Sequence, residues 1–427
     1  MRDWFDVFNG NKRLLIFGFL FSFFSSFGQT FFISLFVPSW LSLFELTNSG
    51  FGTMYAVATI GGAVLISFSG KYIDNMPLKK YALLVFSGLI LSVIILSQTS
   101  VLFFLVTGLF MVRWLGQGLM THTSSTGIAK YFTLNRGKAL SFSALGQPAG
   151  HFLFPIIMLP LITLSGWRNS LVISALTGLA IMLPVILSLK NIQDPVTLLS
   201  TDNHPEENGE HGKAVNYFKN PDFWIIALNI FSIPFICTAI FLYQYSIGES
   251  RGWSASWVAF SFSFFAIFSA IGLIVSGSLT DRFTGRFLFP LYLIPAIIAI
   301  LLMAVSGNKY IFPVFYALIG ISSGLGSTIK TATQTELYGT GNLGKVRSYF
   351  STILVISTAL GPPVFGWFLD RNVSLQTIMF FTALFVILTA VLSFRLWPVT
   401  YHKKLRAYVF LPAIFQRKQK GICDKLL

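Results

Sequence analysis

Long apolar runs recur along this chain and restrict what it can fold into. A helix needs roughly 20 consecutive apolar residues to cross the hydrocarbon core of a bilayer, and the sequence holds twelve runs of about that length. The first six are residues 14–37, 50–69, 81–97, 101–121, 139–161 and 170–189. The second six are residues 223–248, 254–277, 287–306, 310–331, 349–369 and 376–396. We therefore predict an all-α membrane protein with twelve transmembrane helices in two six-helix bundles.

The composition agrees with a bilayer as the solvent of this chain. Hydrophobic residues make up 54% of the 427 residues, and charged residues only 11%. A soluble fold with that content would expose large apolar patches. The formal net charge of +15 would suggest a nucleic-acid partner in a soluble protein. Here we attribute it to the excess of Lys and Arg on cytoplasmic loops of membrane proteins, and we expect no nucleic-acid partner.

A polar stretch divides the chain into domains. We predict an N-terminal six-helix bundle over residues 1–189, a cytoplasmic linker over 190–220, a C-terminal six-helix bundle over 221–397 and a basic cytoplasmic tail over 398–427. The tail mixes basic and aromatic residues, so it either lies on the anionic inner leaflet or is disordered. The first apolar run is too long for the core of a signal peptide, and we interpret it as the first span.

The basic residues predict the orientation of the chain. With the N-terminus in the cytoplasm, the loops on that side receive nearly all of the Lys and Arg residues. The loops on the outer side receive only Arg168, Arg251, Lys309 and Arg371. We predict a multi-pass protein of the cell membrane (inner or plasma membrane) with both termini in the cytoplasm.

Several short motifs occur once in each half, in the same order. The glycine–acid segment that ends at Asp74 returns as the segment that ends at Asp281. The glycine pair before His122 returns as the glycine pair before Lys330, at the same distance. Repeats of this kind underlie transporters in which one half rocks against the other around a central site.

The repeated glycine–acid segment is a candidate gate. Asp74 and Asp281 follow the second and eighth predicted helices on the cytoplasmic side. A carboxylate at that place can accept hydrogen bonds from the N-terminus of a neighbouring helix, or pair with a basic residue across the two halves. Such contacts would form only when the cytoplasmic side is closed. The alternative is that both are solvated loop acids.

These residues resemble the motifs of the major facilitator superfamily, and the resemblance covers essentially the whole chain. The loop motif of that family is matched by Gly277, Asp281, Arg282, Gly285 and Arg286, and less fully by Gly70, Asp74, Lys79 and Lys80, because Asn75 and Pro77 replace its usual basic residue and glycine. The family's span-four motif is similar to Arg113 with Gly116 and Gly118, and its span-five motif to Gly146, Pro148 and Gly150. The resemblance implies two pseudo-symmetric bundles, alternating access and a cytoplasmic gate at the loop motifs.

Three stretches resemble the monocarboxylate and oxalate–formate branch of this superfamily. They are residues 131–139, 166–168 and 336–344. The resemblance implies a carboxylate substrate. The basic residues that bind substrate in that branch usually lie in spans one, eight or eleven, and those predicted spans contain none here.

Four basic side chains within or near the predicted spans suggest the charge of the substrate. They are Arg113, His122, His151 and Lys330. No Asp or Glu lies deep in any predicted span, so an anionic substrate would compensate an otherwise positive interior. Each member also has a structural interpretation. Arg113 could bond carbonyl groups of a neighbouring helix, the histidines could form interhelical hydrogen bonds, and Lys330 could extend to the cytoplasmic surface.

Four uncharged polar residues complete the predicted substrate pathway. They are Gln29, Gln147, Tyr243 and Gln244. In this superfamily spans one, four, seven and ten line the pathway, which favours ligand contact for Gln29, Tyr243 and Gln244. The alternatives are interhelical hydrogen bonds or an interfacial aromatic belt.

We predict a secondary active transporter for a small organic anion, either a monocarboxylate or a short dicarboxylate. Proton symport or anion exchange would drive it, with His151 or His122 as a candidate proton carrier. The alternative is efflux of hydrophobic drugs, although the acid that cationic drugs require in the cavity is absent. We find no phosphate-binding loop, nucleophile elbow or metal-ligand spacing. We therefore expect no enzyme activity, cofactor or metal, and a monomer in the bilayer.

Overall fold

A computed structural model describes residues 12–132, 136–191, 217–339 and 343–398 of the chain. The predicted basic tail, most of the predicted linker and the first eleven residues lie outside the described residues. The side chain of Asp281 also lies outside that description.

The described part of the first half is helical. Its helices are α1 (Lys12–Phe24), α2 (Thr30–Ile33), α3 (Val37–Phe44), α4 (Asn48–Ser69), α5 (Tyr72–Asn75), α6 (Leu78–Ser97), α7 (Leu102–Val112), α8 (Thr121–Tyr131), α9 (Arg136–Ala144) and α10 (Gly146–Leu187). A 3₁₀ turn over Ser25–Gly28 lies between α1 and α2, and a π-helical segment over Arg113–Met120 joins α7 to α8.

The second half repeats this plan. Its helices are α11 (Pro221–Ser250), α12 (Ala255–Arg282), α13 (Gly285–Leu288), α14 (Ile294–Val305), α15 (Ile311–Tyr338), α16 (Leu343–Asp370) and α17 (Leu375–Ser393). Across the two halves, α4 packs against α16 and α10 packs against α12. The predicted all-α membrane fold is confirmed.

Ten helices in the described ranges are long and apolar enough to cross a bilayer. One of them, Lys138–Leu187, has 50 residues and contains both predicted runs 139–161 and 170–189. Gly166 breaks it, with φ 77° and ψ 161°. The predicted first run falls in Lys12–Phe44, where α1, α2 and α3 are each shorter than a full span. The count of twelve crossings therefore stays a prediction.

Side-chain caps fix where several of these helices begin. Thr47, Asn220, Ser254 and Ser374 each accept a hydrogen bond from a backbone N–H in the first turn of the following helix. These caps satisfy N–H groups that have no partner inside a helix. The helix starts therefore follow from short polar residues placed directly before apolar runs.

The basic residues predicted on the outer side stack on aromatic rings. Arg168 lies over Trp167 at 4.2 Å and Arg371 over Trp367 at 3.7 Å. Arg251 lies over Trp253 at 5.6 Å and Lys309 over Trp257 at 5.9 Å. Tryptophan and basic side chains are typical of the interface between lipid and water, where one end of the side chain is apolar and the other is hydrated.

Candidate functional site

A cavity of about 590 Å³, the central cavity, lies between the two halves. The first half contributes Gln29, Thr30, Phe31, Gln117 and His151 to its lining. The polar residues of the second half include Ser323, Ser327, Lys330, Thr331, Gln334 and Arg347. Because both halves line it, a movement of one half against the other changes its access to solvent.

Of the two basic residues that the second half contributes to this cavity, Lys330 is the less exposed. Its side chain is half-buried, and its ammonium nitrogen lies 5.4 Å from the ring centre of Tyr292. No carboxylate lies within ion-pair distance of Lys330 in the described part of the chain. Arg347 lines the same cavity but is exposed. The cavity therefore holds one sheltered positive charge without an acidic partner.

His151 lines the same cavity within an aromatic cluster. Its ring centre lies 4.4 Å from that of Phe31, 5.6 Å from Phe265 and 5.8 Å from Phe262. Its Nδ1 atom is buried and has no hydrogen-bond partner. The interhelical hydrogen bond that is the structural alternative for His151 is absent at this nitrogen, and aromatic rings pack around the side chain.

The aromatic cluster forms an apolar wall of the cavity and includes residues from both halves. Phe241 and Phe265 line the cavity beside Phe31 and lie 4.8 Å apart. Phe262 packs against this wall, and its ring centre lies 5.6 Å from that of Phe31 and 5.3 Å from that of Tyr316. The cavity thus offers aromatic faces and, at Lys330, a single sheltered cation.

Arg113 is buried and is already engaged inside the first half. It is 2% exposed, and its Nε donates to Thr59 Oγ1 at 3.0 Å. Its Nη1 donates to the carbonyl oxygen of Gly28 at 3.0 Å, and its guanidinium lies 4.6 Å from the ring centre of Tyr55. These contacts match the structural alternative for Arg113, in which it bonds a carbonyl of a neighbouring helix.

The interrupted helix explains why the carbonyl oxygen of Gly28 can accept a hydrogen bond from Arg113. The helix is interrupted between α1 and α2, where Gln29 is extended at φ −85° and ψ 151°. Backbone groups freed at membrane depth need another partner, and Arg113 supplies one. Gly28 also packs directly against the π-helical segment, because a Cβ on Gly28 would lie 2.4 Å from the amide nitrogen of Gln117.

A second cavity, of about 380 Å³, shares Gln117, Leu354 and Thr358 with the first. Arg113, His122, Thr121 and Thr59 line it together with Leu354, Val355 and Thr358 of α16. His122 Nε2 lies 3.3 Å from the carbonyl oxygen of Gly70. The structure therefore places Arg113 and His122 beside one cavity, and His151 and Lys330 beside the other, with Gln117 lining both.

The four uncharged residues predicted for the pathway do not line one common cavity. Gln29 lines the central cavity. Tyr243 and Gln244 do not line it, because both side chains bond the opposite half at the predicted outer side. Gln147 lies one turn before His151 and is absent from the lining of either cavity.

The predicted gate residues lie at one end of the molecule. Asp74 is exposed and, within the described ranges, accepts no hydrogen bond from the second half. The N–H groups of Gly285 and Arg286 donate to Glu336 at 2.6 and 3.0 Å, within the second half. All nine predicted gate roles stay predictions: those of Gly70, Asp74, Lys79, Lys80, Gly277, Asp281, Arg282, Gly285 and Arg286.

Sequence analysis missed a carboxylate at the opposite end. Asp370, the last residue of α16, accepts hydrogen bonds from the start of α4 in the other half. The signal in the sequence was weak, since Asp370 is one acid beside Arg371 at the end of an apolar run.

Comparisons with known proteins agree with this architecture. The sequence model described as Major Facilitator Superfamily matches residues 18–309 and 245–410. Monocarboxylate transporter 12 of Xenopus laevis is 23% identical over 308 residues, which cover 67% of this chain and 66% of that protein. The human protein of the same name is 24% identical over 324 residues, covering 68% of this chain and 61% of its own length. The matched region thus spans less than two thirds of either relative.

Solved structures show the same fold at low sequence identity. A bacterial homologue of the human lysosomal transporter Spinster, in an inward-facing and occupied conformation, aligns with a TM-score of 0.69 and 15% identity. The alignment covers 90% of this chain and 96% of that one. The same homologue in its unoccupied inward-facing conformation aligns with a TM-score of 0.70.

Proposed function

Since the chain belongs to the major facilitator superfamily, we propose that it is a secondary active transporter that moves a small organic anion by alternating access. The family and the apolar helices indicate a multi-pass membrane transporter with a small-molecule substrate. The anion and the driving force are the proposal.

The observation that carries this proposal is Lys330. A half-buried ammonium group without a carboxylate partner is unfavourable in an apolar environment, unless a bound anion compensates it. Ser327, Thr331 and Gln334 line the cavity on the same helix, α15, and can donate hydrogen bonds to a carboxylate. The site therefore suits a carboxylate better than a cation or a neutral polar solute.

The lining favours a monocarboxylate over a short dicarboxylate. Lys330 is the sheltered cation, whereas Arg347 is exposed, so a second carboxylate would lie against the aromatic wall of Phe31, Phe241 and Phe265. An apolar or aryl body gains more from those faces than a charge does. The monocarboxylate transporters to which the chain is similar carry that substrate class in their name.

Two driving forces fit this site. His151 and His122 line the two cavities and are the candidate carriers of a coupled proton. Exchange of one anion for another needs no proton, because Lys330 would be compensated in both directions of the cycle. We propose that the protein works as a monomer in a cell membrane, with both termini in the cytoplasm.

Uptake into proteoliposomes tests the proposal. The panel comprises lactate, phenylacetate, succinate and a hydrophobic cation, each with and without an imposed pH gradient. We expect phenylacetate and lactate to enter and to compete with each other. Uptake of the cation alone would favour the alternative of drug efflux, and a succinate preference would overturn the monocarboxylate assignment.

The variant Lys330→Gln makes the test specific. We expect uptake of the anion to fall about tenfold or more in kcat/KM, because a hydrogen bond to a charged group contributes about 1.5–3 kcal/mol. Lys309→Gln is the matched control, since Lys309 is exposed and stacked on Trp257 away from the cavity. Equal uptake by both variants would contradict the role of Lys330.

A further inference from the structure

The predicted outer ends of α4 and α16 are joined by one carboxylate. Asp370 Oδ1 accepts from the backbone nitrogen of Asn48 at 2.8 Å and from its Nδ2 at 2.9 Å. Asp370 Oδ2 accepts from the backbone nitrogen of Ser49 at 2.8 Å and from its hydroxyl at 2.5 Å. Both oxygens of the carboxylate are thus engaged by the opposite half.

This carboxylate lies where a helix favours negative charge. Asn48 and Ser49 open α4, a helix of 22 residues, and their N–H groups have no partner within that helix. The macrodipole makes the same end positive. Asp370 therefore compensates α4 as a capping residue would, but from the other bundle and 321 residues away from Ser49 in the chain.

Tyr243 joins the same place from α11. Its hydroxyl donates to the carbonyl oxygen of Asn48 at 2.6 Å and lies 3.1 Å from the carbonyl oxygen of Pro362. Nearby, Gln244 Nε2 donates to Ser34 Oγ at 2.9 Å. Each of these contacts except the one to Pro362 connects the first half to the second half.

The two halves can bond in this way because glycines let the backbones approach. A Cβ on Gly366 would lie 2.7 Å from the carbonyl of Asn48. A Cβ on Gly52 would lie 2.6 Å from the Tyr243 hydroxyl and 2.7 Å from the carbonyl carbon of Pro362. The contact between α4 and α16 at this end is therefore built for close packing and does not result from a chance meeting of loops.

We propose that Asn48, Ser49, Tyr243 and Asp370 form an outer clamp, which holds the transporter closed on the predicted outer side while the cavity is accessible from the other side. The clamp exists only when the outer ends of α4 and α16 touch, and every one of its bonds between the halves must break before the cavity opens outward. Asp370 is thus a positioning residue that sets the balance between the two access states. The inference needs alternating access but not an anionic substrate.

A native cysteine in the central cavity can report which side of the cavity is open. Cys237 lines the central cavity, and the other cysteine, Cys423, lies in the tail. In a Cys423→Ser background, a membrane-impermeant thiol reagent applied from the Asp370 face reaches Cys237 only when the outer side is open. The readout requires no substrate, so its failure is distinct from failure of the proposed function.

We expect Asp370→Asn and Asp370→Ala to raise the rate of Cys237 labelling from the Asp370 face about tenfold, and Asp370→Glu to restore part of the wild-type rate. Asp222→Asn is the matched control, because Asp222 pairs with Arg395 inside the second half and away from the contact between the halves. A merely structural Asp370 would lower the yield or thermal stability of the protein without changing which face admits the reagent.

The proposal is overturned if Asp370→Asn and Asp370→Ala, purified as folded protein, are labelled from the Asp370 face at the wild-type rate. Should Asp370→Ala fail to fold, Ser49→Ala provides the second variant. It deletes one side-chain donor and keeps the backbone donors, so a smaller increase in labelling is expected from it. An unchanged rate in both Asp370→Asn and Ser49→Ala would equally overturn the clamp.

Discussion

Arg113 and Lys330 carry the same charge in opposite halves, but the structure gives them different surroundings. Arg113 has bonds to Thr59 and Gly28 and a cation–π contact with Tyr55. Lys330 has an aromatic neighbour and an open cavity. At the scale of single residues, we propose that the first cation stabilises the protein, although its buried Nη2 has no hydrogen-bond partner, and that the second is available to a ligand. Charge alone predicts one site that includes both cations, because the sequence does not show which partners a buried cation finds.

The variants Arg113→Lys and Arg113→Ala test this division. We expect both to lower the unfolding temperature of the purified protein, because each loses the forked contact to Thr59 and Gly28. A buried group left without its partner costs about 1–3 kcal/mol. Thermal unfolding in detergent measures the effect, with Arg371→Lys, which is exposed, as the control. Wild-type stability combined with lost anion uptake in Arg113→Lys would instead show that Arg113 contacts the substrate.

Two irregular helical segments of the first half face each other. The interruption at Ser25–Gln29 lies against the π-helical segment Arg113–Met120, and Gly28 meets Gly116 at that contact. Discontinuous helices are tolerated inside a bilayer only where protein or a water-filled cavity surrounds them. Here Gln29 and Gln117 line the central cavity directly from these two irregular segments. Backbone irregularity therefore exposes polar groups where a substrate would bind.

The contact between these segments leads to a prediction for Gly28→Ala. A Cβ at this position would lie 2.1 Å from the carbonyl oxygen of Val112, so the backbones of two helices must separate. Overpacking of this kind costs about 1–3 kcal/mol. We expect less folded protein by size-exclusion chromatography and a lower unfolding temperature. Gly178→Ala is the matched control, because its added methyl would meet side-chain atoms at an ordinary 3.4 Å.

The sequence predicts the helices of this molecule better than it predicts their breaks. Runs of apolar residues require helices in a bilayer, and the break at Gly166 falls between two predicted runs. The break before Gln29 falls inside one run, because Phe-rich sequence on both sides of Ser25 and Ser26 reads as continuous. Asp370 and Asn48 are 322 residues apart, so no local pattern could pair them. Sequence periodicity identifies elements, whereas the contacts between halves arise only when the chain folds.

At the scale of the whole molecule, the described contacts between side chains of the two halves are not distributed evenly. Tyr243 and Gln244 donate hydrogen bonds to the first half, and Asp370 accepts hydrogen bonds from it, at the end where Asn48 begins α4. At the other end, the central cavity extends to the exposed Arg347, and Asp74 has no bond to the second half within the described ranges. Within the described residues, the hydrogen bonds between the two halves are therefore concentrated at the predicted outer side.

The asymmetry distinguishes two kinds of glycine. Gly28 packs within one half, so an added methyl group disturbs every state of the cycle. Gly366 packs against Asn48 of the other half, so its methyl group would clash only when the outer side is closed. We therefore expect Gly366→Ala to fold normally and to shift the protein toward the outward-open state. An overpacking cost of about 1–3 kcal/mol corresponds to a change of roughly 5- to 150-fold in that balance.

Labelling of Cys237 from the two faces, in the Cys423→Ser background, measures this shift. Gly366→Ala should increase labelling from the Asp370 face and decrease net transport, because a state that cannot close on one side cannot complete the cycle. Gly178→Ala is the control, since its methyl group would meet only side-chain atoms of its own half, at an ordinary 3.4 Å. If Gly366→Ala instead loses folded protein as Gly28→Ala does, then α4 and α16 form part of the permanent core. The two halves would then not separate along this line.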